Sequence, residues 1–158
     1  MDTRINIQEI QPQAYKAMFG LEGYLRTTQL NPTHQELIKI RASQVNGCAF
    51  CLDMHTKDAL KAGETTQRIF LLNAWKETHL FTREEKIVLA LTEAITLIHQ
   101  GGIPDALYRE AESVLGATYL AQVIMAVVTI NAWNRIAIST HLQPANPTPT
   151  PHPESVGV

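Results

Sequence analysis

Two cysteines are all this chain of 158 residues has, and they stand three apart as Cys48-Ala49-Phe50-Cys51. They follow an Asn46-Gly47 turn signal and open a stretch with helical periodicity. Residues three apart on a helix are neighbours, so the two sulfurs can meet in a disulfide. A helix N-terminus carries unsatisfied amides and partial positive charge, which favours a thiolate. His55 lies four residues after Cys51 and seven after Cys48, so all three share one face. A histidine there can relay a proton or stabilise charge on sulfur.

Other chemistries compete for the same residues. Zinc would need His55 plus a fourth ligand from His34, His79 or a carboxylate, because no further cysteine exists. Covalent haem attachment needs histidine directly after the second cysteine, where Leu52 stands. Iron–sulfur ligation needs more than two thiolates. The plainest alternative is a pair of inert buried cysteines.

The elements around these residues read as helical almost throughout, with no sustained period-two alternation. About seven helices are predicted. The first covers Pro12 to about Thr27. The second starts at the Asn31-Pro32 cap signal and ends near Val45. The third starts near Cys48 and stops at Gly63. A short fourth runs from Thr65 or Thr66 through Trp75. The fifth follows the Thr82-Arg83-Glu84-Glu85 capping box and ends before Gly101-Gly102. The sixth opens at Pro104 and reaches about Leu115, and a long seventh covers Ala117 to about Ser139. Residues 1–143 thus form one all-α domain. Residues 144–158 hold five of the eight prolines and read as a disordered or extended tail.

From Tyr119 to Ile138 the chain is apolar and long enough to span a bilayer, but it contains Gln122, Asn131, Asn134 and Arg135. Such groups are costly in lipid, so a buried helix is expected and no membrane partner. A formal charge of -2 carries no basic excess, which argues against nucleic acid. The first residues, Met1-Asp2-Thr3-Arg4-Ile5-Asn6, show no apolar leader, so a cytoplasmic location is expected. His34 is expected to be solvated or capping. Arg135 is expected to pair with a carboxylate, and the long helix to bury a second surface against another subunit.

The run Glu36-x11-Cys48-x-x-Cys51-x-x-x-His55, set in Arg41-Ala42-Ser43-Gln44-Val45-Asn46-Gly47, resembles the AhpD-like alkylhydroperoxidase branch of the carboxymuconolactone decarboxylase family. The resemblance continues through Thr82 to Thr92 and through Ile130-Asn131-Ala132-Trp133-Asn134-Arg135. It implies a compact all-α fold in homo-oligomers, as trimers or hexamers. It implies an enzyme: a thiol-dependent peroxidase that reduces hydroperoxides and is recharged by a dithiol or protein reductant. By resemblance, Cys51 is the peroxidatic thiol, Cys48 the proton donor and resolving partner, and Glu36 with His55 the proton relay. No cofactor is implied beyond the Cys48–Cys51 disulfide, and no metal. Founding members carry a histidine directly before the second cysteine. Here that position is Phe50, so that relay step is absent or carried by water. Phe50, with Met54 and Trp75, is instead a candidate wall of an apolar substrate pocket. The ring-lactone decarboxylases of the same family work without the cysteine pair, so the retained pair favours redox chemistry. The alternatives are a non-catalytic redox-responsive helical oligomer, or a metal-binding or decarboxylase relative.

Overall fold

The computed structural model describes residues 4–145, and among them every regular element is helical. The α-helices are α1 (Ile7–Ile10), α2 (Pro12–Arg26), α3 (Pro32–Asn46), α4 (Ala49–Lys61), α5 (Thr66–Leu71), α6 (Arg83–Thr96), α7 (Asp105–Leu115) and α8 (Ala117–Thr140). Two 3-10 segments, Leu72–Glu77 and Ile98–Gln100, tighten the ends of α5 and α6. The expected first to seventh helices correspond to α2 through α8. The addition is α1, a single turn held by Asn6, whose Oδ1 accepts from the amides of Gln8 and Glu9. One turn is too short to leave a periodic signal. The expected fourth helix also divides, because Ala74 leaves helical geometry at φ -112°, ψ 28°.

Local chemistry explains the boundaries. Asn31 caps α3, accepting from the Thr33 amide, and Pro32 takes the first helical position. Thr82 and Glu85 close both arms of the capping box on α6, which is worth about 1 kcal/mol. Gly63 ends α4 at φ 96°, where the Glu64 amide reaches back to the Ala59 carbonyl.

Helix α3 is the hub, packed against α4, α6 and α8. Its Ile38 and Ala42 enter a core with Val88, Leu91, Ala111, Val123 and Val127 from α6, α7 and α8. Its Leu37 and Ile40 enter a second core with Ala59, Leu72, Trp75 and Leu89. A helix buried on two sides gains rigidity from both, which suits one that must hold a side chain in place.

Among the described residues, α8 is the one helix long and apolar enough to cross a membrane. It packs on α2, α3, α4, α6 and α7, burying Leu120, Val123, Val127, Ile130, Asn134 and Ala137. The buried helix expected there is what forms. Val128 and Ile138 on it stay exposed. The expected tail falls largely on residues 146–158, outside the described residues; Pro144 and Ala145 are not helical.

Candidate active site

The turn between α3 and α4 sets the site. Gly47 takes the left-handed conformation, φ 72° and ψ 33°, which only glycine adopts without strain. The Cys48 amide then donates to the Ser43 carbonyl at 3.0 Å, closing the end of α3. This leaves Cys48 as the first cap of α4, with its sulfur accepting from the Cys51 amide at 3.3 Å. Cys48 and Cys51 are joined as a disulfide, their Cα atoms 5.4 Å apart. Both are buried, 1% and 2% exposed, under Ala137 of α8, with Phe50 and Leu142 packed alongside.

His55 follows one turn later on α4 and is also buried. It faces Glu36 across the α3–α4 seam, with Nδ1 3.5 Å from Glu36 Oε2. That is longer than an ordinary hydrogen bond, and neither atom has a closer partner. The other carboxylate oxygen, Oε1, accepts from Lys39 Nζ at 2.9 Å. Burial acts to raise the Glu36 pKa. The His55 contact and the Lys39 ammonium outweigh it and hold the carboxyl below its ordinary value. Glu36 is therefore a carboxylate at neutral pH. Glu36 and His55, expected to act together, lie side by side without a hydrogen bond, and Lys39, three residues from Glu36 on α3, holds the other carboxylate oxygen.

The seam offers little space. A crevice of about 20 Å³ borders Glu36, Leu37, Ile40 and Ala59, enough for one water-sized molecule. A cleft of about 520 Å³ lies elsewhere, between α6, α7 and the first 3-10 segment, and its walls include Trp75, His79, Phe81 and Lys86. Trp75 thus belongs to a place apart from the cysteines and donates its indole N–H to Glu93 at 2.7 Å. Phe50 is half-buried against the cysteine cluster and lines neither space; Met54 is exposed. Among the described residues no group of three His, Cys, Asp or Glu side chains is placed to hold a metal ion.

A polar network behind the turn was not anticipated as part of the site. Asn46 Nδ2 donates to Asn131 Oδ1 at 3.0 Å and Asn134 Oδ1 at 2.9 Å. Asn134 Nδ2 donates to Ser43 Oγ at 3.0 Å, and Asn131 Nδ2 to Thr96 Oγ1 at 2.9 Å. The signal was present as polar residues in an apolar helix. Arg135 corrects an expectation: its guanidinium donates to the carbonyl and side-chain oxygens of Asn131, with no carboxylate among its described partners. His34 corrects another, since it is buried, with Nδ1 2.7 Å from the Tyr119 hydroxyl.

Comparison with known proteins agrees with this architecture. The model of the carboxymuconolactone decarboxylase family matches residues 12–94. The uncharacterized protein YdfG of Bacillus subtilis is 45% identical over 139 residues, spanning 88% of this chain and 95% of its own. The crystal structure of an Agrobacterium tumefaciens protein of unknown function, described as a candidate antioxidant defence protein AhpD, superposes with a TM-score of 0.89 at 36% identity. It covers 92% of this chain and all of that one. An uncharacterized peroxidase-related protein from Silicibacter sp. TM1040 shares the fold, with a TM-score of 0.73 at 19% identity over 87% of this chain and 80% of its own.

Proposed function

Because the chain belongs to the carboxymuconolactone decarboxylase family and has its AhpD-like helical fold, we propose that it is a thiol-dependent peroxidase acting on hydroperoxides. The observation that carries this reading is the Cys48–Cys51 disulfide at the start of α4, one turn from a histidine that faces an ionised Glu36. The Cys51 thiolate attacks the outer peroxide oxygen. The O–O bond breaks, the alcohol leaves with a proton, and Cys51 becomes a sulfenic acid. The Cys48 thiol then attacks that sulfur, the S–O bond breaks and water leaves, restoring the disulfide. An external dithiol or protein reductant supplies two electrons and two protons to reopen it. Glu36 and His55 take the Cys51 proton at the start and return it to the leaving group. Phe50, packed on the cysteines, is the contact proposed for the alkyl group of the substrate.

Regeneration by a thiol reductant suits a reducing cytoplasm. The family resemblance implies a homo-oligomer, a trimer or hexamer, and the exposed Val128 and Ile138 on α8 offer apolar surface for such an assembly. Light scattering that returned a single-chain mass at micromolar concentration would overturn that assembly.

The test of the activity is consumption of an alkyl hydroperoxide with a dithiol reductant, by wild type beside Cys48→Ser and Cys51→Ser. Continued turnover by wild type alone is expected. A second reading, a redox-responsive helical protein that does not turn over, is favoured by one feature: a disulfide only 1–2% exposed. A single stoichiometric oxidation without turnover would select it.

A further inference from the structure

Among its described hydrogen bonds Asn134 has none to either sulfur, yet it grips the chain on the α3 side of the turn that carries Cys48. Its Oδ1 accepts from Asn46, the residue before Gly47, and its Nδ2 donates to Ser43 Oγ. Ser43 is the same residue whose carbonyl receives the Cys48 amide. Asn134 and Ser43 are both fully buried, 0% exposed, so water does not compete for the bond between them. One turn further along α8, Ala137 packs on the disulfide itself. Helix α8 therefore holds the turn from behind and covers the sulfurs with the same face.

We propose that Asn134 is a positioning residue that sets the reduction equilibrium of the Cys48–Cys51 pair. The inference rests on reading that pair as redox-active. A closed disulfide keeps Cys48 beside Cys51 covalently. Once it opens, the short backbone between them still keeps the two thiols near, but only non-covalent contacts fix where Cys48 points, and it sits at the cap of α4, outside the regular helix. Its position then depends on the Ser43 carbonyl and on the two Asn134 bonds that fix Ser43 and Asn46. Holding two thiols in place raises their effective concentration and favours closure. Loss of the clasp shifts the balance towards the dithiol. An asparagine that served stability alone would weaken the oxidised and reduced folds alike and leave that balance unmoved.

The test uses the full chain in glutathione buffers of graded composition. In the equilibrium measured, the protein S–S bond breaks, two glutathione thiols are joined as glutathione disulfide, and two electrons with two protons pass to Cys48 and Cys51. The reduced fraction is read by thiol alkylation and mass. Asn134→Ala is expected to shift the equilibrium about tenfold towards the dithiol, or about 30 mV. Ser43→Ala and Asn46→Ala, each removing one arm, are expected to move it the same way by less. Val123→Ala, a fully buried position on the same helix, is expected to lower thermal stability and leave the equilibrium in place. An Asn134→Ala equilibrium within twofold of wild type overturns the proposal, as does an equal shift in Val123→Ala. Should Asn134→Ala not fold, the two single-arm variants decide: a shift in both supports the clasp, and any other result overturns it. A wild-type disulfide that does not exchange with glutathione overturns the redox reading itself. Exchange in wild type with unmoved variants overturns only the role of Asn134.

Discussion

Glu36 Oε2 and His55 Nδ1 face each other at 3.5 Å across the α3–α4 seam, both out of contact with solvent and neither with a closer partner. A buried pair left this loose does not fasten two helices. In the proposed mechanism this pair carries the proton, and catalytic hydrogen bonds are often long in the resting state.

Replacing Glu36 by glutamine therefore tests proton transfer with little change of shape. Glu36→Gln is expected to slow oxidation of the reduced protein by hydroperoxide by roughly 10–100-fold, the low end of general-base contributions. Stopped-flow measurement of thiol loss checks it. A rate within twofold of wild type would remove Glu36 from the mechanism.

The two cysteines should separate cleanly. Cys48→Ser is expected to accumulate a sulfenic acid on Cys51 and stall, while Cys51→Ser should give no trapped sulfenic acid at all. Dimedone labelling read by mass spectrometry distinguishes them. Label on Cys48 in the Cys51→Ser variant, with none in the converse, would swap the two roles.

His34 predicts a pH dependence of stability distinct from that of the carboxylates. Burial lowers its pKa, with Glu85 and Glu84 pulling the other way, and its Nδ1 lies 2.7 Å from Tyr119 Oη. That hydroxyl also accepts from the Asn31 amide, and the burial around the ring favours the neutral imidazole. The unfolded chain takes up the proton near pH ~6.5, the folded chain only below that. Stability is thus fully present above ~6.5 and falls as the pH drops towards the folded value. Urea unfolding at pH 7.5 and 5.5 should show the loss, and His34→Gln should flatten it. Glu36, Glu85 and Glu93, whose pKa values are all held low, add their own loss in a more acidic window.

The Arg68 guanidinium on α5 ties the α4–α5 connection, the segment before α6 and α6 itself together. It donates to both oxygens of Glu85, to Glu64 at 2.9 Å and to the Leu80 carbonyl at 2.6 Å, with Phe81 beneath it. Glu85 is buried and also closes the α6 capping box. Arg68→Met strands that carboxylate and is expected to cost about 3 kcal/mol in chemical denaturation. Arg109→Met, whose partner Asp105 is exposed and 4.0 Å away, should change stability by less than about 0.5 kcal/mol.

What the sequence determined by itself is local. The asparagine cap and proline of α3, the capping box of α6, the glycine stop of α4 and the Asn46-Gly47 turn act through bonds between residues a few positions apart, so they are legible one window at a time. For the same reason the Cys48-x-x-Cys51 pair and His55 could be placed on one face before any tertiary contact was known. Glu36 was found through its fixed distance from Cys48 within a recognisable pattern. Its pairing with Lys39 is again a matter of helical spacing. The rest depends on side chains meeting across the bundle. Asn134 reaches Ser43 over 91 positions and Asn46 over 88, and His34 finds Tyr119 over 85. No periodicity encodes such partners, because an amide buried in an apolar helix must be satisfied by whichever polar group the packing brings near it. The same packing drew Phe50 onto the disulfide, and turned Arg135 to the oxygens of Asn131 in place of a carboxylate. The chemistry of the site is written in a short stretch of chain. The geometry that holds its first cysteine comes from a helix that begins about seventy residues later.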